Sequence, residues 1–427
     1  MENDPGLGCD QFLCTTPRHA GGRVCLDRYH SKVSNVVPLS KARPQVLEFF
    51  AGIGLARMGL ERAGFHVAWS NDFEPRKQSM YEGHFKDDEN SSDHTFVLGD
   101  VGEVDAADLP TDVDMAWASS PCTDLSLAGG RAGLSGAASG TFWHFIRILR
   151  DLGETRPDVV VLENVTGLAT SNGGDDISAA IKAFNKLGYS IDVLVIDARR
   201  FVPQSRSRLF LIGAINPPKD TTKAESNLRP DWLQWIFDDP ELQTHRAEIP
   251  ELPSLRIGGL GDYVENIPIG DERWWSDERV ERFEQSLSSV QKERLENLKR
   301  STAVKYRTAY RRMRNSVPVW EVRPDDISGC LRTARGGSSK QAVVRVGDGF
   351  INVRWMTSVE YANLMGAPDF DLGDARDSQV MFGFGDAVVV PAVEWLAANY
   401  LLPLSNGTLD AQEETNTLAT SGLRATR

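Results

Sequence analysis

Four residues in the sequence have side chains that could act directly on a bound substrate. Cys122, next to Pro121, offers a thiol whose thiolate form is a nucleophile. Glu163 closes an apolar run and offers a carboxyl group that can hold or release a proton. Arg206 and Arg208 stand at alternate positions, so on a strand both could face Glu163 or a phosphate. The pattern predicts a nucleophile and an acid held by cations, although most single cysteines are inert core residues.

A glycine-containing turn is a candidate ligand-binding loop. Phe50-Ala51-Gly52-Ile53-Gly54 follows an apolar run, and glycines at a strand-to-helix turn let a ligand approach backbone N–H groups. The loop lacks the third glycine of a dinucleotide-binding fingerprint, and an ordinary tight turn shows the same pattern. Asp72 and Asp100 each follow a later apolar segment, where they could accept hydrogen bonds from a ribose hydroxyl and an adenine amino group.

All of these residues lie at the ends of predicted strands. Short apolar runs alternate with helical periodicity over about 170 residues, which is typical of an α/β fold with a doubly wound, mostly parallel sheet. The predicted strands are 46–50, 67–72, 95–98, 113–118, 159–162, 191–196 and 209–212, and helices are predicted at 55–63, 141–152 and 176–187. Because ligands bind beyond the carboxyl ends of parallel strands, we expect these residues to meet in one crevice.

The alternation stops near Pro217, which predicts a second, smaller domain. We predict a first domain at 44–218, the second at 219–322, and a segment at 323–404 that returns to the first. Residues 1–43 and 405–427 show no sustained periodicity and are predicted to be a disordered leader and tail. A charged helix is predicted at 277–300 and a strand at 341–346. The pair Trp274-Trp275 could stack on a nucleic acid, but paired tryptophans are more typical of a small core.

Composition places the chain among soluble globular proteins. Its 427 residues carry 47 Lys and Arg against 60 Asp and Glu, a net charge of −13, and the five cysteines are too few and scattered for a disulfide framework. Pro391, Glu394 and Asn399 interrupt the apolar stretch 387–404, so we predict a core helix there and no membrane span. No secretory signal is visible at the start, and a cytoplasmic protein is expected. The acidic balance by itself argues against a nucleic-acid partner.

The order of these motifs resembles that of the DNA (cytosine-5) methyltransferases. The motifs are Phe50-x-Gly52-x-Gly54, Pro121-Cys122, Glu163-Asn164-Val165, Gln204-x-Arg206-x-Arg208, then Arg332-Thr333-Ala334-Arg335-Gly336-Gly337-Ser338-Ser339 as the ninth and Gly385-Asp386-Ala387-Val388 as the tenth. The resemblance covers roughly residues 44–403. It implies a Rossmann-like methyltransferase domain, a smaller target-recognition domain and S-adenosylmethionine as methyl donor. The chain departs from the family at Leu55, usually glycine, and at Asp386, usually asparagine.

The resemblance also implies a role for each motif residue. The implied catalytic residues are Cys122 at carbon 6 of a flipped-out cytosine, Glu163 at N3, Arg208 at O2, and Arg206 holding Glu163 or a phosphate. The implied cofactor-binding residues are Phe50, Gly52, Ile53, Gly54, Asp72, Phe73, Asp100, Val101, Pro121, Asp386 and Val388. The implied DNA-binding residues are Arg332, Arg335, Ser338, Ser339 and Lys340. The expected partners are duplex DNA and a cognate restriction endonuclease whose cleavage the methylation blocks; no metal is expected, and the protein is expected to be a monomer.

Three other functions would use some of the same residues. An RNA cytosine-5 methyltransferase would share the catalytic motifs, but the insert of about 100 residues before Arg332 favours a domain that reads duplex DNA. A catalytically degenerate DNA-binding homologue is disfavoured because both Cys122 and Glu163 are present. A zinc deaminase is excluded, since it needs a second cysteine three positions after Cys122, where this chain has Leu125.

A zinc site in the leader is also disfavoured. The leader's candidate ligands are spaced more widely than structural zinc ligands, so an unstructured leader is predicted; they are Cys9, Cys14, His19, Cys25 and His30.

The distribution of charge changes what the net balance implies. Between Lys299 and Arg354 the chain has 13 Lys and Arg against four Asp and Glu, a local balance of +9, which leaves −22 for the rest. A solvated basic face is the ordinary explanation of such a segment. Here the segment coincides with the region that the resemblance assigns to DNA contact, so we predict DNA binding that weakens steeply with salt.

Overall fold

The alternating apolar runs form a central sheet, as predicted. The computed structural model describes residues 43–87, 93–121, 136, 140–221, 226–314, 317–333 and 340–409. In these residues the strands form two sheets. The strands of the large sheet are β1 (Gln45–Phe49), β2 (His66–Asp72), β3 (Thr95–Leu98), β4 (Met115–Ser119), β5 (Val159–Val165), β6 (Ser190–Asp197) and β7 (Ser207–Ala214).

The large sheet is mostly parallel. Its strand order is β3-β2-β1-β4-β5-β7-β6, and every pair from β3 to β5 is parallel. Strand β7 is antiparallel to both β5 and β6. The prediction of a doubly wound, mostly parallel α/β sheet is therefore confirmed, with the antiparallel strand near one edge, where such sheets commonly carry one.

Both faces of this sheet are covered except at the exposed edge strand β3, which explains why its inner strands are mostly apolar. Val46 and Trp117 belong to the core on one face, while Leu47 and Ala116 belong to the core on the other. The helices are α1 (Leu55–Arg62), α2 (Pro75–Phe85), α3 (Thr141–Asp151), α4 (Asp175–Lys186), α5 (Gln234–Asp238), α6 (Asp277–Gln285), α7 (Ser289–Lys299), α8 (Ser358–Leu364), α9 (Asp377–Asp386), α10 (Val390–Leu396) and α11 (Leu402–Ser405). Helices α3 and α4 cover one face, and α1, α2 and α10 cover the other.

The second sheet extends beyond the domain limits expected from the sequence. It consists of β8 (Lys305–Arg314), β9 (Val317–Val322), β10 (Ala342–Gly347) and β11 (Phe350–Trp355), all antiparallel, in the order β11-β10-β8-β9. The strand predicted at 341–346 forms as β10, but it pairs with β8 and not with the large sheet. Between β9 and β10 the chain contacts the core of the large sheet through Leu331, but β10 then pairs within the second sheet. This pairing could not be foreseen because an apolar run does not specify its pairing partner.

Helices α6 and α7 cover one face of the second sheet. The single helix predicted at 277–300 is divided into these two, with the Ser288 hydroxyl accepting a hydrogen bond from the Gln291 N–H at the start of α7. Trp275 is only 8 % exposed and lies in the core between these helices and the sheet, as the core interpretation predicted. Ahead of α6, Leu228 and Leu252 pack into a core of the large sheet, so the small core begins well after residue 219.

The last helical run belongs to the core of the large sheet. The run Asp377–Ser405 is long and apolar enough to cross a membrane by length and composition, but 67 % of its most apolar window is buried inside the protein. Helix α10 lies so close to α1 that a Cβ on Gly59 would come within 2.7 Å of the Val393 side chain. This close packing is that of a core helix, as predicted from the polar interruptions.

Candidate active site

The turn after β1 has one closed side and one open side. Phe50, Gly52 and Gly54 have φ angles of 58°, 62° and 85°, the left-handed region that favours glycine. A Cβ on Gly54 would lie 2.4 Å from the Phe85 ring and 2.9 Å from the Tyr81 ring, so no side chain fits there. A Cβ on Gly52 would have no heavy atom within 4 Å. The open side at Gly52 leaves room for a ligand to lie against the backbone.

Asp72, at the end of β2, holds this turn in place. One of its carboxylate oxygens accepts the Gly52 N–H at 2.9 Å, and the other accepts the Glu74 N–H at 2.9 Å. The neighbouring Asn71 donates to the carbonyls of Val97 and Gly99, both at 2.9 Å. The ends of β1, β2 and β3 are thereby brought to one edge, as the sequence predicted.

Beside Asp72, the structure presents the features that suit an adenosine group. The Phe73 side chain is 64 % exposed at the rim, although it is a large aromatic residue. The Asp100 carboxylate accepts the Gly102 N–H at 2.7 Å, and the position of Gly99 faces open space. An open strip with an exposed ring and the exposed Asp100 carboxylate, with the buried Asp72 carboxylate beside it, fits a ligand that has a flat base and ribose hydroxyls. Of the other predicted contacts, the side chains of Ile53, Val101 and Val388 are buried at 0, 4 and 4 % exposure.

Beneath the turn lies Glu48, a residue that the sequence reasoning missed. It is fully buried in β1 and accepts the Arg57 N–H at 3.2 Å, the Ser70 hydroxyl at 2.9 Å and the Tyr81 hydroxyl at 3.3 Å. Gly54 caps α1 without a side chain, so Glu48 supplies the acceptor that the first turn of the helix needs. Burial raises the pKa of Glu48 to about 7. The signal for it was a lone carboxylate inside an otherwise apolar strand.

Glu48 should make folding stability depend on pH. Its pKa is near 4.5 when unfolded and about 7 when folded, so the folded state binds a proton more tightly. Stability is therefore expected to fall by about 3 kcal/mol as pH rises from 4.5 through 7. In Glu48→Gln this contribution should disappear, while the side chain can still accept from Arg57. Urea unfolding at both pH values tests this: unfolding free energies of the two proteins that change in parallel with pH would contradict it.

The catalytic candidates meet where β4 and β5 end. Ser119 lies opposite Glu163 in the parallel pair, and Asn164 donates to the Ser120 hydroxyl at 3.0 Å and to the Ser120 carbonyl at 3.3 Å. The chain that leads through Pro121 to Cys122 is therefore fastened to β5 beside Glu163. Cys122 itself lies outside the described residues.

Glu163 is buried and is paired with Arg208. Its carboxylate forms a salt bridge with Arg208 Nε at 3.0 Å and accepts a hydrogen bond from the Ser119 hydroxyl. Burial raises the pKa of Glu163, while the charges of Arg208 and Arg206 partly offset that rise. The carboxyl group thus takes up a proton more readily than it would in water, which suits an acid or a shared-proton donor.

Arg206 does not do what the sequence predicted. It was expected to hold Glu163 or a phosphate, but its guanidinium donates to the backbone carbonyls of Leu331 at 2.6 Å, Gly385 at 3.1 Å and Ala387. The residue is only 2 % exposed, so a phosphate has no access to it. Arg206 instead joins β7 to the segments of the ninth and tenth motifs, and the pairing with Glu163 falls to Arg208.

A second cysteine lies beside Arg206. The Cys330 Sγ is 3.2 Å from Arg206 Nη1. Burial raises the pKa of this thiol, but the charges of Arg206, Arg208 and Arg332 outweigh burial, and the net pKa is below its ordinary value. The site therefore holds a thiol in addition to the one predicted at Cys122.

The two C-terminal motifs close the site. A Cβ on Gly385 would lie 2.5 Å from the carbonyl carbon of Arg332, so the two segments are in direct backbone contact. Asp386, where the family usually has asparagine, forms a salt bridge with Lys77 at 3.2 Å. Arg332 is exposed and Lys340 is half-buried. Arg335, Ser338 and Ser339 lie outside the described residues.

Known proteins share this organisation. The type II methyltransferase M.HaeII of Haemophilus aegyptius is 25 % identical over 372 residues, which is 85 % of this chain and 95 % of that protein. M.Bsp6I of Bacillus sp. (strain RFL6) is 30 % identical over 175 residues, 40 % of this chain but only about half, 52 %, of that protein. The S. pombe Dnmt2 methyltransferase structure has a similar fold, with a TM-score of 0.53, 17 % identity, and coverage of 84 % of this chain and 98 % of that one.

The family pattern spans both sheets. The family described as "C-5 cytosine-specific DNA methylase" matches residues 45–401, from β1 into the helical run that packs beside it. That range includes the glycine turn, Glu163, Arg208 and the two C-terminal motifs described above. The chain belongs to the C-5 cytosine-specific DNA methylase family.

Proposed function

We propose that this protein transfers a methyl group from S-adenosylmethionine to carbon 5 of a cytosine flipped out of duplex DNA. The observation that supports this most directly is the Arg208–Glu163 pair, 3.0 Å apart and buried beside the strand that leads to Cys122. Carbon 5 of cytosine is a weak nucleophile, so the reaction needs both a nucleophile at carbon 6 and a proton donor at N3. Cys122 and Glu163 are the two groups that fill these needs.

The proposed reaction proceeds through a covalent bond to the protein. The Cys122 thiolate adds to carbon 6, and the displaced electron pair makes carbon 5 electron-rich while Glu163 gives or shares a proton at N3. Arg208 holds Glu163 in place, and we propose that it contacts O2. After carbon 5 is methylated, a base removes its proton, the carbon 5–carbon 6 double bond re-forms and the thiolate leaves.

The cofactor is proposed to lie in the strip next to the glycine turn. Phe73 would stack on its base, Asp72 would accept from its ribose and Asp100 from its amino group, consistent with the exposed ring and the open space at Gly52. When bound there, S-adenosylmethionine supplies an electrophilic methyl group. Leu55 is 1 % exposed and fills the core behind the turn, so this departure from the family does not obstruct the strip.

The substrate is proposed to be duplex DNA, and the protein is proposed to act as a cytoplasmic monomer. Strands of the second sheet make up much of the segment Lys299–Arg354, whose net charge is +9. Its Lys and Arg side chains provide cations for a phosphate backbone. M.HaeII, similar over 95 % of its length, is described as a type II methyltransferase. By analogy we propose that this protein protects DNA against a cognate restriction endonuclease.

Methyl incorporation separates DNA from RNA as the substrate. The purified full chain is incubated with radiolabelled S-adenosylmethionine and either plasmid DNA from a host lacking cytosine methylation or a mixture of tRNAs. Label is expected in the DNA, and bisulfite sequencing should then place it on cytosine carbon 5 within one recurring sequence. Label in tRNA alone would replace the proposal with an RNA cytosine-5 methyltransferase, and label in neither would indicate a degenerate homologue.

A further inference from the structure

Three tryptophans form a cluster at one end of the second sheet. The ring centroids of Trp275, Trp320 and Trp355 are 5.5, 5.3 and 5.6 Å apart pairwise. Trp275 and Trp320 are each only 8 % exposed, and both belong to the core beneath α6 and α7. Because they are packed against one another, these three rings have a fixed arrangement, and we call Trp275, Trp320 and Trp355 the platform.

Each of these rings has at least one cation over it, and the Trp355 ring has two, because Arg279 also lies 5.6 Å from its centroid. The Arg279 guanidinium lies 4.0 Å from the centroid of Trp275, that of Arg311 lies 5.4 Å from Trp320, and Lys340 Nζ lies 5.4 Å from Trp355. The three cations come from α6, from β8 and from the residue two before β10, so distant parts of the chain converge there. Stacking of this kind restricts long side chains that would otherwise be mobile.

Among the described residues, these three cations have no carboxylate within ion-pair distance, whereas some of their neighbours do. Across the part of the chain that the structure describes, no Asp or Glu oxygen lies within 4.0 Å of Arg279, Arg311 or Lys340. By contrast, Arg312 pairs with Glu321 at 2.9 Å on the same hairpin.

Two cations over this platform have pKa values below the ordinary ones. Burial and the like charges of Arg311 and Arg282 lower the pKa of Arg279. Burial also lowers the pKa of Lys340, against a weaker opposing effect of Asp377. The like charges of Arg279 and Arg311 repel each other, and an anion that binds between them relieves this repulsion.

The platform is close to the proposed catalytic site along the chain. Lys340 is eight residues after Arg332, whose backbone contacts Gly385 beside the site. Eight residues span at most about 29 Å when fully extended. Because each nucleotide of a strand advances about 3.4 Å along duplex DNA, this corresponds to no more than about eight nucleotides from the target base.

We infer that Arg279, Arg311 and Lys340, held on Trp275, Trp320 and Trp355, form a preorganised phosphate-binding surface that grips the DNA backbone flanking the target cytosine. The inference rests on the proposed function, because it takes duplex DNA as the ligand. Cations already fixed on rings lose little conformational freedom when they meet a phosphate. The surface therefore contributes affinity and register, and sequence readout is left to other residues.

The salt dependence of DNA binding tests this surface, because it reports how many counterions leave the DNA when the protein neutralises its phosphates. The variants are Arg279→Gln, Arg311→Gln, Lys340→Gln and the triple variant, and the ligand is a labelled duplex containing the sequence that the wild-type protein methylates. Each phosphate that a variant no longer neutralises should reduce the slope of log affinity against log salt by about 0.9, and hence by about 2.7 in the triple variant. KM for DNA should rise in each single variant and rise most in the triple variant.

Two matched controls separate charge at this surface from charge elsewhere and from misfolding. Lys292→Gln with Arg294→Gln removes two exposed cations of α7, away from the tryptophans and outside the segment Lys299–Arg354, and should leave the slope unchanged. The charge-retaining variant with Arg279→Lys, Arg311→Lys and Lys340→Arg should keep most of the slope.

The outcomes are distinguishable from failure of the proposed function. If the wild-type protein binds and methylates DNA but the triple variant keeps the wild-type slope, the inference is overturned and the function stands. If the control pair lowers the slope as much as the triple variant does, the surface is ordinary basic charge and the inference is again overturned. If the wild-type protein does not methylate DNA, both proposals fall together.

Discussion

Replacing Cys122 with alanine should reduce the rate of methyl transfer by at least about 10⁴-fold, a loss typical of removing a catalytic nucleophile. Without a thiolate at carbon 6, carbon 5 has no electron pair with which to take up the methyl group. Affinity for duplex DNA should change little, because backbone contacts are made by cations elsewhere. Single-turnover assays with radiolabelled cofactor measure the rate, and fluorescence anisotropy measures binding.

A trap for the covalent bond makes this prediction specific to one thiol. In a duplex with fluorine at carbon 5 of the target cytosine, the hydrogen that the last step removes as a proton is absent. The covalent protein–DNA bond therefore cannot be released and should persist through denaturation. Cys122→Ala should form no such complex. Cys330→Ala is the informative control, since that thiol also lies at the site with a lowered pKa, and it should still be trapped. A complex that survives in Cys122→Ala but not in Cys330→Ala would reverse the assignment.

The large sheet was predictable from the sequence because its chemistry is local. Most of its strands are apolar runs that end in a polar or glycine-rich turn. Because most of these strands are buried on both faces, their residue types and their hydrophobic pattern both indicate a strand. The convergence of Gly52, Asp72 and Glu163 at one edge followed from the parallel geometry alone. The order of these ends, together with Cys122, also carried the family resemblance.

What the sequence could not show depends on contacts between distant segments. Whether Arg206 or Arg208 meets Glu163 is decided by the carbonyls of Leu331, Gly385 and Ala387, more than 100 positions away, which occupy the Arg206 guanidinium. The pairing of β10 with β8 likewise depends on which edge is free when the chain returns. A pattern of residue types contains neither fact.

Buried polar groups were the other gap. In the sequence, Glu48 is only an exception to the apolar pattern of its strand. Its role as an acceptor at the start of a helix becomes visible only in the folded structure, where Arg57, Ser70 and Tyr81 donate to it. Arg279 and Arg311 read as ordinary surface charge until their rings are in place. Such residues are identified by what surrounds them, and periodicity contains no information on that.

Glu163→Gln should lower the rate by about 10² to 10⁴-fold, the range expected for removal of a general acid. The amide keeps the size of the side chain and can still accept from Arg208, but it cannot give a proton to N3. Burial raises the pKa of Glu163, so the protonated form persists to higher pH than for a free carboxylic acid, and the wild-type rate should fall as pH rises above that pKa. In Glu163→Gln this fall should be absent, because no group titrates at that position.

Arg208→Gln provides the complementary test, since it removes the cation and keeps the acid. Without Arg208, which lowers the pKa of Glu163 against the effect of burial, that pKa should rise, and the alkaline fall in rate should move to higher pH. Single-turnover rates from about pH 5.5 to about pH 8.5 at saturating DNA compare the three proteins directly. An alkaline fall that is unchanged in both variants would show that another group sets it and that Glu163 only positions the base.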